Sequence, residues 1–196
     1  MPQPNPAGTA ASYVTPPLTS DTTILGAGRL DAWVKSSKPD PDLQVTVSEV
    51  RPDGKEVFVQ SGWLRATGRK LDKKKSTKLE PVLSLRKKDD KPMPKGKYVE
   101  LTVPLYYQGH AYRAGSQIRV TISAVDGDQP IWAFADATGN GAKISIAHSP
   151  DMPSQLMLPQ VAGVDVPTGL PPCPGLRAEP CRDYVPYAND SGALKN

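Results

Sequence analysis

Serine-based acyl transfer needs a serine nucleophile, a histidine to take its proton and a carboxylate to orient that histidine. The serine of the αβ type sits on a Gly-x-Ser-x-Gly elbow between a parallel strand and a helix. The Gly-Ser pairs in the chain's middle, Ser61-Gly62 and Gly115-Ser116, lack that glycine spacing and do not sit between a parallel-sheet strand and a helix pattern. The two histidines, His110 and His148, fall in segments that read as strand edges or turns. A histidine there without a positioned partner serves structure or solvent contact rather than catalysis. No catalytic residue is expected.

Metal chemistry is no better supplied. Calcium takes about six to eight oxygens from several loops. Asp21, Asp31, Asp40 and Asp42 are the candidates, but Asp40 and Asp42 straddle a single proline and suit the capping of a turn before a strand. Cys173 and Cys181 enclose the turn-rich Pro-Gly-Leu-Arg-Ala-Glu-Pro. A local disulfide is the favoured reading and a pair of free thiols the alternative. A zinc site would want about four ligands, and no His or Cys cluster accompanies this pair. No metal and no other cofactor is expected.

Two groups of side chains could bind rather than react. Trp63-Leu64-Arg65-Ala66, followed by Arg69, offers a Trp-plus-Arg anchor of the kind found at protein interfaces. The structural alternative has Trp63 capping the fold and Arg65 and Arg69 reaching solvent. Tyr106, Tyr107 and Tyr112, with Trp132 and Phe134, could instead stack on sugar rings. Trp132 and Phe134 alternate with Ile131 and Ala133, so one of these pairs faces a core.

The elements that would position these residues repeat with a period of two. Leu30, Ala32 and Val34 alternate with Asp31, Trp33 and Lys35, and Leu43, Val45 and Val47 with Gln44, Thr46 and Ser48. Val99, Leu101, Val103 and Leu105 follow the same rule, as do Ile118, Val120, Ile122 and Ala124. This is the pattern of strands buried on one face. Pro52-Asp53-Gly54 reads as a tight hairpin, and Asp126-Gly127-Asp128 and Thr138-Gly139-Asn140-Gly141 punctuate later strands. Many short strands without βα alternation predict an antiparallel sandwich.

Proline marks the expected boundaries, because 14 of the 22 prolines fall in residues 1–20 and 150–186, and proline is scarce in central strands. The expected division is a proline-rich arm over 1–21, a sandwich over 22–160 and a proline-rich tail over 161–196. Within the sandwich, residues 69–97 hold 12 of the 24 basic residues and only 4 of the 20 acids. A basic run suggests phosphate binding, but this one carries no aromatic for base stacking and is broken by Pro81, Pro92 and Pro94. A solvated crossover loop is expected, with nucleic acid not a partner and a polyanion such as a cell-wall polymer a weak one. The hydrophobic fraction of 38%, with no apolar run near the roughly 18 residues that span a bilayer, predicts a folded chain without a membrane partner. Met1-Pro-Gln-Pro begins no signal peptide, while a disulfide would favour an extracellular or extracytoplasmic location.

Several segments resemble one family in order along the chain. Tyr13 to Thr22 is similar to an entry segment, Gly26 to Ser37 with Asp40-Pro41-Asp42-Leu43 to a first core strand and acidic turn, and Asp53 to Arg69 to the motif that follows. Tyr112-Arg113-Ala114-Gly115-Ser116-Gln117-Ile118-Arg119-Val120 is similar to an Arg-Ala-Gly-(His/Ser)-x-(Ile/Leu)-Arg pattern, and His148 to Pro159 to a closing strand. Together they resemble the C-terminal β-sandwich domain of the Xaa-Pro dipeptidyl-peptidase and CocE/NonD serine hydrolases. The resemblance implies a jelly roll of the galactose-binding-like type that lacks the catalytic triad. Its implied partner is an α/β-hydrolase catalytic domain, on the same parent chain or a separate one, with Trp63, Leu64, Arg65 and Arg69 close to it. The associated activity would be dipeptidyl-peptidase or ester and amide hydrolysis. A free-standing carbohydrate-binding module is the alternative.

Overall fold

The computed structural model describes residues 4–125, 141–166, 168–173 and 180–187. The described residues form twelve strands: β1 (Ala10–Val14), β2 (Thr22–Gly26), β3 (Arg29–Ser36), β4 (Asp42–Val50), β5 (Lys55–Arg65), β6 (Val99–Pro104), β7 (Gln108–Tyr112), β8 (Gln117–Ser123), β9 (Ile144–Ala147), β10 (Gln155–Met157), β11 (Gln160–Val161) and β12 (Cys181–Asp183). The turns expected around 126–128 and 138–140, and Trp132 and Phe134, lie outside the described residues. Among the described residues no helix is long and apolar enough to cross a membrane.

The first eight strands pair in a nested way: β1 with β8, β2 with β7, β3 with β6 and β4 with β5, all antiparallel. A two-stranded ribbon folded over on itself produces this order, and it is the topology of a jelly roll. One layer is a five-stranded sheet in the order β1-β8-β4-β5-β12. The other is made of two shorter sheets, β10-β3-β6 with β9 also on β3, and β11-β2-β7. The alternating residues meet between the layers: Leu30, Ala32 and Val34 of β3, Leu43, Val45 and Val47 of β4, Leu101 and Val103 of β6, and Val120 and Ile122 of β8 form the main core. Ile24, Val59 and Tyr112 form a smaller core under β2 and β7. The hairpin at Pro52-Asp53-Gly54 closes with Gly54 at φ +80°, a conformation glycine adopts without a Cβ clash.

The outer segments are more than arms. Strand β1 lies within residues 1–21 and pairs with β8 over five residues, so the sandwich begins before position 22. Strand β12, in the expected tail, pairs with the edge of β5. The physical reason is local. Residues 7–15 and 181–185 contain no proline, and the flanking Pro6, Pro16, Pro180 and Pro186 mark strand ends rather than an absence of strands.

The outward face of β4, polar in sequence and expected in solvent, is also buried: Gln44, Thr46 and Ser48 are all enclosed. Beside them Glu56 accepts from Arg119 Nη1 at 3.0 Å and from Arg182 Nε at 2.9 Å. Ser48 donates to the same carboxylate at 2.8 Å, and Ser12 accepts from Arg119 Nε at 2.7 Å. Tyr184 and Tyr187 of the tail cover the Arg119 guanidinium, with ring centroids 5.1 and 4.3 Å away. The tail therefore roofs a charged cluster in which one carboxylate serves two arginines.

Residues 69–97 cross from β5 to β6 and carry their own framework. Leu71 bridges Leu83, Asp72 N donates to Val82 O at 2.7 Å and Ser84 N to Lys70 O at 2.8 Å. Met93 is buried in the main core. The charged loop is anchored by apolar contacts at its ends and by a short ladder in its middle.

Candidate docking face

The approach of two backbones builds this site. A Cβ at Gly62 of β5 would lie 1.9 Å from Pro104 O, so only glycine lets the corner between β6 and β7 come down onto β5. Tyr106 N then donates to Ser61 O at 2.9 Å, and the Tyr106 ring meets Trp63 edge-on with centroids 5.2 Å apart. Trp63 points outward from β5, its Nε1 donating to Gln44 Oε1 at 3.0 Å.

Phe58, Trp63, Tyr106 and Tyr107 line a groove of about 240 Å³, floored by Val59, Gln60 and Ser61. Tyr106 and Tyr107 remain 56% and 66% exposed. The Tyr107 hydroxyl donates to Glu80, and that hydrogen bond to a carboxylate raises the phenol above its ordinary pKa. Leu25, 66% exposed, stands opposite Gly109 on β7. Leu79, through its carbonyl on Gly28 N at 3.0 Å, holds the crossover loop against this corner. Aromatic side chains from β5 and the β6–β7 corner thus share one surface.

Of the four interface residues expected from sequence, Trp63 alone lines this groove. Leu64 is buried in the main core. Arg65 forms a two-pronged pair with Asp42 across β4 and β5, at 2.9 and 2.8 Å. Arg69 donates to the carbonyls of Ala66, Lys91 and Pro92 and ties the crossover loop together. Strand alternation sends residues 63 and 64 to opposite faces. Tyr112 is wholly buried between the layers, so of the three sugar-stacking tyrosines only Tyr106 and Tyr107 can meet an external ring. Sequence reasoning missed Phe58; the signal for the site was Gly62 beside Trp63, a glycine inside a strand that marks a close backbone approach.

The residues that could do chemistry are occupied elsewhere. Asp40 accepts from Thr67 N at 2.9 Å, Asp21 from Ala114 N at 2.8 Å, Asp42 is held by Arg65, and Asp31 pairs with Arg29 at 2.8 Å. His148 meets the Tyr13 hydroxyl at 2.5 Å. His110 Nε2 lies 2.9 Å from Glu49 Oε2 between the sheets. Burial pushes the Glu49 carboxyl up, but opposing interactions, led by the hydrogen bond with His110, hold the group below its usual value. Ser116 Oγ, buried nearby, has no hydrogen-bond partner among the described residues. A proton relay needs a serine bonded to the histidine, so the His110–Glu49 pair supports structure. Cys173 and Cys181 are joined, their Cα atoms 5.7 Å apart.

Nested antiparallel pairing around two apolar cores, with an aromatic groove at one corner, defines a jelly-roll β-sandwich module. The chain belongs to the family of X-Pro dipeptidyl-peptidase C-terminal non-catalytic domains, whose model matches residues 4–143. Among curated proteins none matches the sequence. Solved structures with the same fold include a CocE/NonD family hydrolase from Staphylococcus aureus, with TM-score 0.68 and 22% identity over 78% of this chain and 30% of that one. An aminopeptidase from a marine sediment Thaumarchaeota archaeon gives a TM-score of 0.59 and 16% identity, covering 79% of this chain and 26% of the other. An alpha-amino acid ester hydrolase gives 0.58 and 20%, covering 78% and 26%. The chain spans about a quarter to a third of those chains.

Proposed function

We propose that this chain is the accessory β-sandwich of a serine hydrolase and works by packing its aromatic face against an α/β-hydrolase catalytic domain, where it shapes one wall of the active site. The observation that carries the reading is the coincidence of family and surface. A module of a non-catalytic family, matching only part of longer hydrolase chains, presents Trp63, Tyr106 and Tyr107 side by side. Aromatic residues in such a cluster are enriched at the centre of interfaces. The partner's reaction is transfer of an acyl group to water through a serine ester, on a peptide after an Xaa-Pro pair or on an ester or amide.

The bridge between Cys173 and Cys181 supports an oxidising, extracytoplasmic setting. The test is to add the tagged chain to its native cells' extract, recover it and treat the eluate with a fluorophosphonate that marks activated serines. The reading expects a second polypeptide to be labelled and this chain to stay dark. Label on this chain itself would overturn it.

The exposed pair Tyr106 and Tyr107 beside Trp63 favours one second reading, a carbohydrate-binding module in which these rings stack on sugar. Sugar-dependent quenching of tryptophan fluorescence in the isolated chain is expected under that reading only.

A further inference from the structure

The crossover loop builds a second surface at the base of its short ladder. Ser84 N on Lys70 O places Arg69 and Lys70 beside Ser84 and Leu85. Asp89, buried, takes Lys70 Nζ at 2.6 Å and Arg86 Nε at 2.8 Å, which draws the 3₁₀ turn Lys87–Asp89 to the same base. Arg69, bonded to the carbonyls of Lys91 and Pro92, closes the loop on itself. Lys70, Arg86, Lys87, Lys88 and Lys91 are thereby gathered at one place, answered by Asp89 and Asp90. Lys87, Lys88 and Lys91 are exposed, and the described residues give them no ion pair.

Among these cations stands Leu85, 82% exposed. Its φ of +51° makes it the one non-glycine in the left-handed region among the described residues. A branched side chain does not choose that backbone; the hydrogen bonds on either side, at Ser84 and Asp89, impose it. The frame thus holds a leucine out in water in the segment that carries the exposed Lys87 and Lys88.

We propose that this leucine-tipped basic patch docks on an anionic lipid bilayer. A protein partner would want several buried apolar or aromatic side chains and few lysines, and a nucleic acid would want a stacking ring; the patch has neither. A bilayer rewards this combination. Anionic headgroups attract lysines whose long stems keep their charge hydrated, and one leucine enters the boundary of headgroup and acyl chain. Peripheral docking needs no spanning segment, and the aromatic face remains free for its own partner.

The experiment is flotation of the 196-residue chain with vesicles of phosphatidylcholine, with and without about 30 mol% phosphatidylglycerol, at low and at physiological salt. The proposal expects binding to the anionic vesicles only, weakened by salt. Lys87→Ala and Lys88→Ala should each cost roughly five-fold in partitioning. Leu85→Gly should cost about ten-fold while leaving the melting temperature unchanged or higher, since glycine accepts the positive φ. Absence of vesicle binding would overturn the proposal. So would equal partitioning of Leu85→Gly and the parent, or binding to duplex DNA with the same lysine and salt dependence.

Discussion

Gly62 and Glu49 show what single positions contribute. At Gly62 the cost of a methyl group is steric and falls on backbone, which cannot swing away. Gly62→Ala is expected to destabilise the chain by about 3 kcal/mol or more, at the upper end of overpacking costs, and a thermal melt reads the loss directly. Gly54→Ala is the contrast. A Cβ there meets nothing within 4 Å, so only the positive φ is penalised, by about 1 kcal/mol. Glu49 predicts a pH dependence. Its carboxyl is held below the ordinary value in the folded chain, chiefly by the hydrogen bond with His110 acting against burial, so the unfolded chain takes up that proton more readily. The stability it supplies is complete above the ordinary carboxylate range and is lost as pH falls through the depressed folded value. Urea melts of Glu49→Gln and the parent, compared across acid pH, should show a smaller acid loss in the variant; parallel curves would remove Glu49 from the account.

Among the elements, the strands that were legible in sequence are those with apolar residues on alternate positions. β3, β4, β6 and β8 stand where Leu30 to Val34, Leu43 to Val47, Leu101 to Val103 and Val120 to Ile122 place them. Alternation cannot say which strands lie side by side, and it gives no warning that the polar face of β4 is enclosed. That burial depends on Arg119, Glu56 and Arg182, residues far apart in sequence that meet through the sheet order. β1 and β12 were hidden because proline counts over long windows mask strands of five and three residues. The docking face was half legible: Trp63 was visible as an aromatic in a strand, but its partnership with Tyr106 needed the contact at Gly62. β12 carries its own prediction. Cys173 and Cys181 close a loop of eight residues' separation that ends on its first residue, and a bridge of that size contributes about 2–3 kcal/mol. Cys181→Ser, or reduction of the parent, is expected to lower the melting temperature and to speed exchange of the Phe58 amide, which donates to Pro180 O at 2.9 Å. Unchanged exchange at Phe58 would show that β12 holds to β5 without the bridge.

For the whole molecule, the two layers divide the work. The outer face of the five-stranded sheet carries, beside β12, a polar cluster roofed by the chain's own tail, and so is closed to a partner there. The groove between β5 and the β6–β7 corner is aromatic and open. Under the proposed reading this is the surface that meets a catalytic partner, and the loss of it should abolish association without unfolding the sandwich, because Trp63 and Tyr107 lie outside both apolar cores. The deciding measurement is the fluorescence of fluorophosphonate-labelled hydrolase recovered with the parent chain and with a Trp63→Ala, Tyr107→Ala double variant of equal melting behaviour. The account predicts a labelled partner with the parent and at least about a hundred-fold weaker recovery with the variant, as expected when two central aromatic anchors are removed. Equal recovery of labelled hydrolase by the two chains would contradict it.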